Sequence, residues 1–193
     1  MSKTVNILFC GVGGQGLMLS STIIANALFE SGFDVKKSEI HGMSQRGGSI
    51  ISFIRYGDSV GSPIFDKGEC DIMVSFEKIE AVRNIDYLNN NSKVVFNEYS
   101  LPPTTVYFGD FSYPTDEAIL TAIKEKTEDI KRINAYETAL KLGNEKITNT
   151  ILVGYLSQYL PVKKEKWNEI MQRYIKPKWR NLNIEAFEKG GSL

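Results

Sequence analysis

Val5 to Cys10 is a short, mostly apolar run closed by a cluster of glycines, a pattern that predicts a central, buried parallel strand. Leu17 to Ser31 follows with Leu17, Ile24, Ala27 and Leu28 on one helical face, and Gly32 just beyond predicts its stop. Phe33 to Ser38 reads as a second strand, so the chain is expected to begin with a βαβ unit. Ser49 to Tyr56 has high β-propensity, and Gly57-Asp58 predicts a turn into Ser59 to Phe65, hence a hairpin and a mixed sheet.

Cys70 to Phe76 and Lys93 to Glu98 read as two further strands, separated by a helical stretch from Glu77 to Leu88 and an Asn89-Asn90-Asn91 turn. Thr104 to Phe108 is a candidate strand after Pro102-Pro103. Thr115 to Lys126 predicts a surface helix with Ile119, Leu120 and Ile123 turned inward. Helices are expected over Ala135 to Leu142, Lys146 to Leu160, Lys163 to Tyr174 and through Ile184 to Phe187, separated by Gly143, Pro161 and Pro177. The fold class is therefore α/β: a three-layer α/β/α, Rossmann-like arrangement with a mostly parallel but mixed sheet and a C-terminal helical layer from about residue 135 to 193. No composition shift or linker splits it, and one domain over residues 1–193 is expected.

At 193 residues, with 23 Lys+Arg balancing 23 Asp+Glu, the chain can bury a core of its own and carries no polyanion footprint. Nucleic acid is not expected as a partner. The N-terminus runs into strand residues without the apolar stretch of a signal peptide. The longest apolar segment, Thr150 to Leu160, is far short of the ~20 residues a bilayer needs. A cytoplasmic chain without a membrane span is the expectation. Cys10 and Cys70 are the only cysteines, too few for a four-thiolate cluster or zinc site, and are expected to be reduced, partly buried thiols.

Gly11-Val12-Gly13-Gly14-Gln15-Gly16 fits GxGxxG directly after a strand and at the start of a helix. Gly11 suits a tight turn, Gly13 lets a ligand approach the backbone, and Gly16 allows close helix packing. Free amides and the helix dipole there favour an anion such as a diphosphate. The same glycines also serve a plain strand-to-helix crossover. A nicotinamide reading needs an acidic residue about 20 positions on, and Glu39 is its candidate.

The adjoining segment Ser38-Glu39-Ile40-His41-Gly42-Met43-Ser44-Gln45-Arg46-Gly47-Gly48 is a polar, glycine-rich loop at the carboxyl end of a strand, expected to face the same crevice. Arg46 can fork a phosphate or carboxylate, Ser44 and Gln45 can add neutral hydrogen bonds, and Gly47-Gly48 permit close backbone approach. His41, the only histidine, reads as a loop-fixing residue before an acid or base. Asn97 and Glu98 end a strand and could line the same crevice, although such a strand-end polar pair is more often a cap or turn. Trp167, Trp179 and Phe187 on the late helices are candidates for packing or for a partner-facing arm.

Taken together, GVGGQG at 11–16, SEIHGMSQRGG at 38–48, Gly143-Asn144 with Asn149, and NLNIEAFEKG at 181–190 resemble one family over nearly the whole chain. It is the gamma-type subunit or domain of the 2-oxoacid:ferredoxin oxidoreductases, and the HGMSQRGG loop is most similar to the beta subunit of the indolepyruvate type. The resemblance implies a single gamma-type catalytic domain in a heteromeric complex of anaerobic metabolism. That complex decarboxylates a 2-oxoacid, an arylpyruvate in the indolepyruvate type, to an acyl-CoA and reduces ferredoxin. Thiamine diphosphate and iron–sulfur clusters are then expected on a larger partner subunit, with coenzyme A as substrate and this chain inactive alone. Gly11, Gly13, Gly14, Gln15, Gly16, Ser44, Gln45 and Gly47 become cofactor-binding candidates. His41 and Arg46 become candidates for shaping the partner's active site, and no metal ligand is assigned. Two alternatives stay open: a stand-alone NAD(P)-binding Rossmann oxidoreductase, and a purely structural docking subunit.

Overall fold

The computed structural model describes residues 4–42, 47–103, 106, 109 and 112–193. Six strands form one sheet in the order β2-β3-β1-β4-β5-β6: β1 (Val5–Val12), β2 (Asp34–His41), β3 (Ser49–Gly57), β4 (Ile72–Ser75), β5 (Lys93–Asn97) and β6 (Ile130–Ile133). β1, β4, β5 and β6 pair in parallel, whereas β3 is antiparallel to both β1 and β2. The sheet is mixed and mostly parallel, as the sequence predicts.

Alternation along β1 divides the core. Ile7 and Phe9 enter one apolar cluster and Leu8 and Cys10 the other, all at 0–1 % exposure, so both faces of this strand are covered. On the first face lie α1 (Leu17–Phe29), α4 (Ala135–Lys141), α5 (Thr148–Ser157), α6 (Lys164–Tyr174) and α7 (Arg180–Gly191). The second face is covered by α2 (Lys78–Arg83) and α3 (Asp116–Lys124), through Ala81, Ile119 and Ile123. The result is the expected α/β/α sandwich.

Local chemistry sets the helix ends. The Thr115 hydroxyl accepts from the Ala118 amide to start α3, and Asn134 Oδ1 accepts from Glu137 to start α4. Gly32, at φ 97°, closes the turn after α1 in a conformation that disfavours side chains. Helices α5 and α7 cross without room for a methyl group: a Cβ on Gly154 would stand 2.1 Å from the Phe187 carbonyl oxygen, and one on Gly190 would stand 2.0 Å from that of Ile151.

Several expectations change. The βαβ reading has the direction of β2 right, but β3 inserts between β2 and β1, so the two parallel strands are not neighbours. The hairpin partner of β3 is the preceding β2, not Ser59 to Phe65. That later segment is held instead as a loop, with Arg55 Nη1 donating to the carbonyls of Ser62 and Ile64, and the Val60 amide donating to Asp34. Gly61 and Pro63 within it suit a loop better than a ladder. β6 is an edge strand whose exposed Lys131 and Arg132 hide it from an apolar-run reading. Trp167 and Phe187 are 2 % and 7 % exposed and pack ring to ring at 5.6 Å, so they belong to the core; of the proposed partner-facing aromatics only Trp179 is exposed. The candidate strand at Thr104 to Phe108 lies largely outside the described residues.

Candidate functional site

The glycine turn sits where three parallel strands end. Gly14 and Gly16 hold φ of 104° and 77°, conformations suited to glycine, and Gly16 is the N-cap of α1. Gln15 staples the turn: its Oε1 accepts from the Val12 amide at 2.8 Å, and its Nε2 donates to the Phe76 carbonyl at 3.2 Å. A Cβ on Gly11 would stand 2.8 Å from both Gln15 Oε1 and Phe76 Cβ, so Gly11 makes room for that staple. Asn97, 1 % exposed at the end of β5, donates to the same Phe76 carbonyl at 3.1 Å and accepts from the Ala135 amide at 3.1 Å. Asn149 Nδ2 contacts the Gly16 carbonyl at 3.4 Å from the first turn of α5.

The second glycine-rich loop meets the first by main-chain bonding. The Gly13 amide donates to the Gly48 carbonyl at 2.9 Å, and the Gly47 amide donates to the Gly13 carbonyl at 3.4 Å. Gly13 N–H is therefore committed within the protein, and the amides left for an anion are those opening α1, which lack intrahelical acceptors. Gly47 holds φ 77°. Met43 to Arg46, and with them the candidates Ser44, Gln45 and Arg46, lie outside the described residues. His41 ends β2 in register with Ile50, itself opposite Gly11, so two strand spacings, roughly 10 Å, separate it from the turn. Its side chain is exposed, with Nε2 3.5 Å from Glu39 Oε2.

Glu39 lies level with Ser52 and Phe9, short of the strand ends, and its Oε1 is 2.6 Å from Lys37 Nζ. Because β3 intervenes, this carboxylate is not beside the turn, the position a ribose-binding acid occupies in the dinucleotide fold.

Above the turn opens a cavity of about 850 Å³. Gly13 to Gly16 with Phe76 and Asn97 line its base, and Tyr99, Leu101 and Tyr136 line one side. Asn144 to Asn149 and the stretch Tyr174 to Lys176 with Lys178 and Trp179 line the rest. The Tyr99 and Tyr136 rings lie 4.5 Å apart, and the Tyr136 hydroxyl donates to Glu145 at 3.2 Å. Burial first, then the nearby Glu145 and Glu77 charges, push the Tyr99 phenol above its ordinary pKa. Lys146, Lys176 and Lys178 bring three cations, none of which ion-pairs with another described residue, and Lys178 Nζ lies 5.2 Å from the Trp179 ring centroid. A helix N-terminus, three lysines and a tilted aromatic pair favour an anionic ligand that also presents a flat or apolar portion.

Sequence reasoning finds the base of this cavity, through the glycine turn and Asn97, and marks Asn144 and Asn149. It misses Tyr99, Tyr136 and the lysines. Lys176-Pro177-Lys178-Trp179 carries a readable signal, two cations beside an exposed aromatic, but Pro177 reads there only as a helix separator. Among the described residues, the loop from 38 to 48 contributes nothing to the lining, since the inserted β3 carries it to the other side of the turn.

The donor chemistry of the chain does not suit a metal cluster. Cys10 and Cys70 are both free and fully buried, and burial pushes each thiol far above its usual pKa, so neither stands as a ready thiolate. Among the described residues no group of three His, Cys, Asp or Glu is gathered as a metal site, and no helix is long and apolar enough to cross a membrane.

A mixed six-stranded sheet sandwiched by helices, with a glycine turn at the strand ends, defines a three-layer α/β domain. The chain belongs to the pyruvate ferredoxin/flavodoxin oxidoreductase family, which it matches over residues 6–193. It is 35% identical over 191 residues to a Pyrococcus horikoshii protein named indolepyruvate oxidoreductase subunit IorB, covering 97% of this chain and 95% of that one. Its fold is similar to that of pyruvate oxidoreductase subunit PORC from Thermotoga maritima, with a TM-score of 0.73 at 20% identity over 99% of this chain and 97% of that one. It is also similar to the 2-oxoglutarate:ferredoxin oxidoreductase of Magnetococcus marinus, solved with 2-oxoglutarate, coenzyme A and succinyl-CoA bound. There the TM-score is 0.78 at 20% identity, all of this chain is covered, and it spans 31% of that longer chain. At such identities the two structures speak for the fold alone.

Proposed function

We propose that this chain is the non-cofactor-bearing subunit of a 2-oxoacid:ferredoxin oxidoreductase of the indolepyruvate type. The observation that carries the reading is the 35% identity to a protein named subunit IorB over 97% of this chain and 95% of that one. Thiamine diphosphate and the iron–sulfur clusters belong to a larger partner subunit, in keeping with a chain whose two thiols are buried and protonated. The complex converts an arylpyruvate to an acyl-CoA and passes the electrons to ferredoxin, and this subunit is inactive by itself. The whole chain, residues 1–193, acts as one domain in the cytoplasm.

Within that complex the cavity over Gly13 to Gly16 receives coenzyme A. The diphosphate takes the amides that open α1, and the three lysines offset its remaining charge. His41 and Arg46 serve the neighbouring loop, where it meets the partner's active site. The nicotinamide alternative is disfavoured by the position of Glu39, two strands from the turn.

Tagged chain purified from its native host is expected to bring down a subunit carrying thiamine diphosphate and iron–sulfur clusters; its absence would sink the subunit reading. In the reconstituted complex Arg46→Ala is expected to lower turnover, whereas unchanged turnover and unchanged coenzyme A dependence would leave docking alone as the role of that loop.

A further inference from the structure

Glu77 directly follows the stretch that leads out of β4, has no exposed surface and is not part of the glycine motifs. Its two carboxylate oxygens face different parts of the protein. Oε2 accepts from the Ile79 amide at 2.8 Å and the Glu80 amide at 3.2 Å, which caps α2. Oε1 accepts from the Leu101 amide at 2.9 Å and from the Tyr113 hydroxyl. The next residue repeats the connection, for the Lys78 amide donates to the Tyr99 carbonyl at 3.0 Å. Tyr99 and Leu101 form one side of the cavity, and Phe76, one residue before Glu77, carries the carbonyl on which Gln15 and Asn97 converge.

Capping a six-residue helix needs only a short polar side chain at the surface. A carboxylate kept wholly out of water carries a desolvation cost that the cap alone does not explain, and its second oxygen gives the reason. We infer that Glu77 is a positioning residue: it ties the Tyr99–Leu101 stretch to the glycine-turn side of the cavity, and so sets the affinity of the cavity for its ligand. The inference rests on the coenzyme A reading given above. Burial, then the bond to Glu77, pushes the Tyr113 phenol above its ordinary pKa, so Tyr113 remains a donor to that oxygen at all working pH values.

Glu77→Gln tests it, because each oxygen of Glu77 faces two donors and an amide must turn its NH₂ group toward one such pair. Tyr113 can reverse its hydroxyl to accept that group, and Leu101 cannot, so the wall is the connection that breaks. In the reconstituted complex the Michaelis constant for coenzyme A is expected to rise roughly five- to twentyfold, with turnover falling by less than about threefold. Tyr113→Phe removes one donor to Glu77, together with the hydroxyl's own bonds to the Ile79 amide and Ser100, but leaves the Leu101 bond; it is expected to lower the thermal midpoint while the Michaelis constant rises less than in Glu77→Gln. Equal losses in both kinetic parameters, or a lowered midpoint with an unchanged Michaelis constant in Glu77→Gln, would overturn the assignment. Should that variant not fold, Glu77→Asp keeps the cap and withdraws from Leu101; a raised constant supports the inference and an unchanged one defeats it. If wild-type complex shows no saturable dependence on coenzyme A, the ligand reading falls and hydrogen exchange decides Glu77. Leu101 amide exchange about tenfold faster in Glu77→Gln than in Tyr113→Phe supports the tie, and equal rates refute it.

Discussion

Gln15 and Asn97 donate their side-chain amides to one and the same acceptor, the Phe76 carbonyl, at 3.2 and 3.1 Å. Residues 82 positions apart are thereby joined across the ends of β1, β4 and β5, and each amide oxygen is engaged in turn by a main-chain N–H, Val12 for Gln15 and Ala135 for Asn97. The glycine turn is thus held by the sheet ends and not only by its own backbone. Gln15, read from the sequence as a candidate ligand contact, has both ends of its amide occupied by the protein.

Asn97→Ala removes the donor to Phe76 and strands the buried Ala135 amide. A loss of about 2–4 kcal/mol is expected, read from urea unfolding midpoints. Gln15→Glu is expected to cost about 1–3 kcal/mol, since a carboxylate keeps the Val12 bond but sets an oxygen against the Phe76 carbonyl. A shift under about 0.5 kcal/mol in Asn97→Ala would show that the convergence at Phe76 contributes nothing.

The base of the cavity is legible in the sequence because a GxGxxG after an apolar run is contiguous, and each of its glycines answers a local constraint. The remaining walls are assembled from residues near 99, 136, 146 and 176, far apart along the chain, and no local period marks them. The insertion of β3 escapes for a related reason. Gly57-Asp58 reads as the tighter hairpin signal, yet β3 pairs backwards with β2 across the loop after His41, and only sheet order reveals that. Trp167 reads as a surface anchor because α6 is rich in charge, while its one apolar stripe, with Ile170 and Met171, turns the ring inward onto Phe187 of α7.

Gly14 and Gly16 separate backbone strain from steric clash. Both have positive φ, but a Cβ on Gly14 meets no atom within 4 Å, whereas one on Gly16 stands 2.8 Å from Asn149 Nδ2. Gly14→Ala is expected to cost about 1–2 kcal/mol, and Gly16→Ala more by about 1 kcal/mol or above. Asn149→Ala in the Gly16→Ala background is expected to recover part of the difference in thermal unfolding. Equal costs for the two glycine variants would contradict the close approach of α5 to the turn.

Gly154→Ala and Gly190→Ala force α5 and α7 apart, because the facing atoms are main-chain carbonyls that cannot rotate away. Each is expected to cost about 3 kcal/mol or more, and the double variant less than the sum, since one displacement of α7 relieves both clashes. Additive costs in chemical unfolding would mean that the two contacts yield separately.

Asp34 gives the pH dependence a definite sign. Its Oδ1 takes Lys36 Nζ at 2.8 Å and its Oδ2 takes the Val60 amide at 2.8 Å; Lys36 first, then Val60, hold its pKa below the ordinary carboxylate value. A depressed carboxylate contributes stability that is present above its unfolded pKa of about 3.9 and is lost as pH falls through the lower folded value. Asp34→Asn cannot titrate, so the variant is expected to be less stable than wild type at pH 7 and to approach it as pH falls from about 4 toward 2. Urea midpoints for the two proteins across that range provide the measurement. Parallel curves would show that Asp34 is equally protonated in both states and that its bond to the loop at Val60 does not depend on charge.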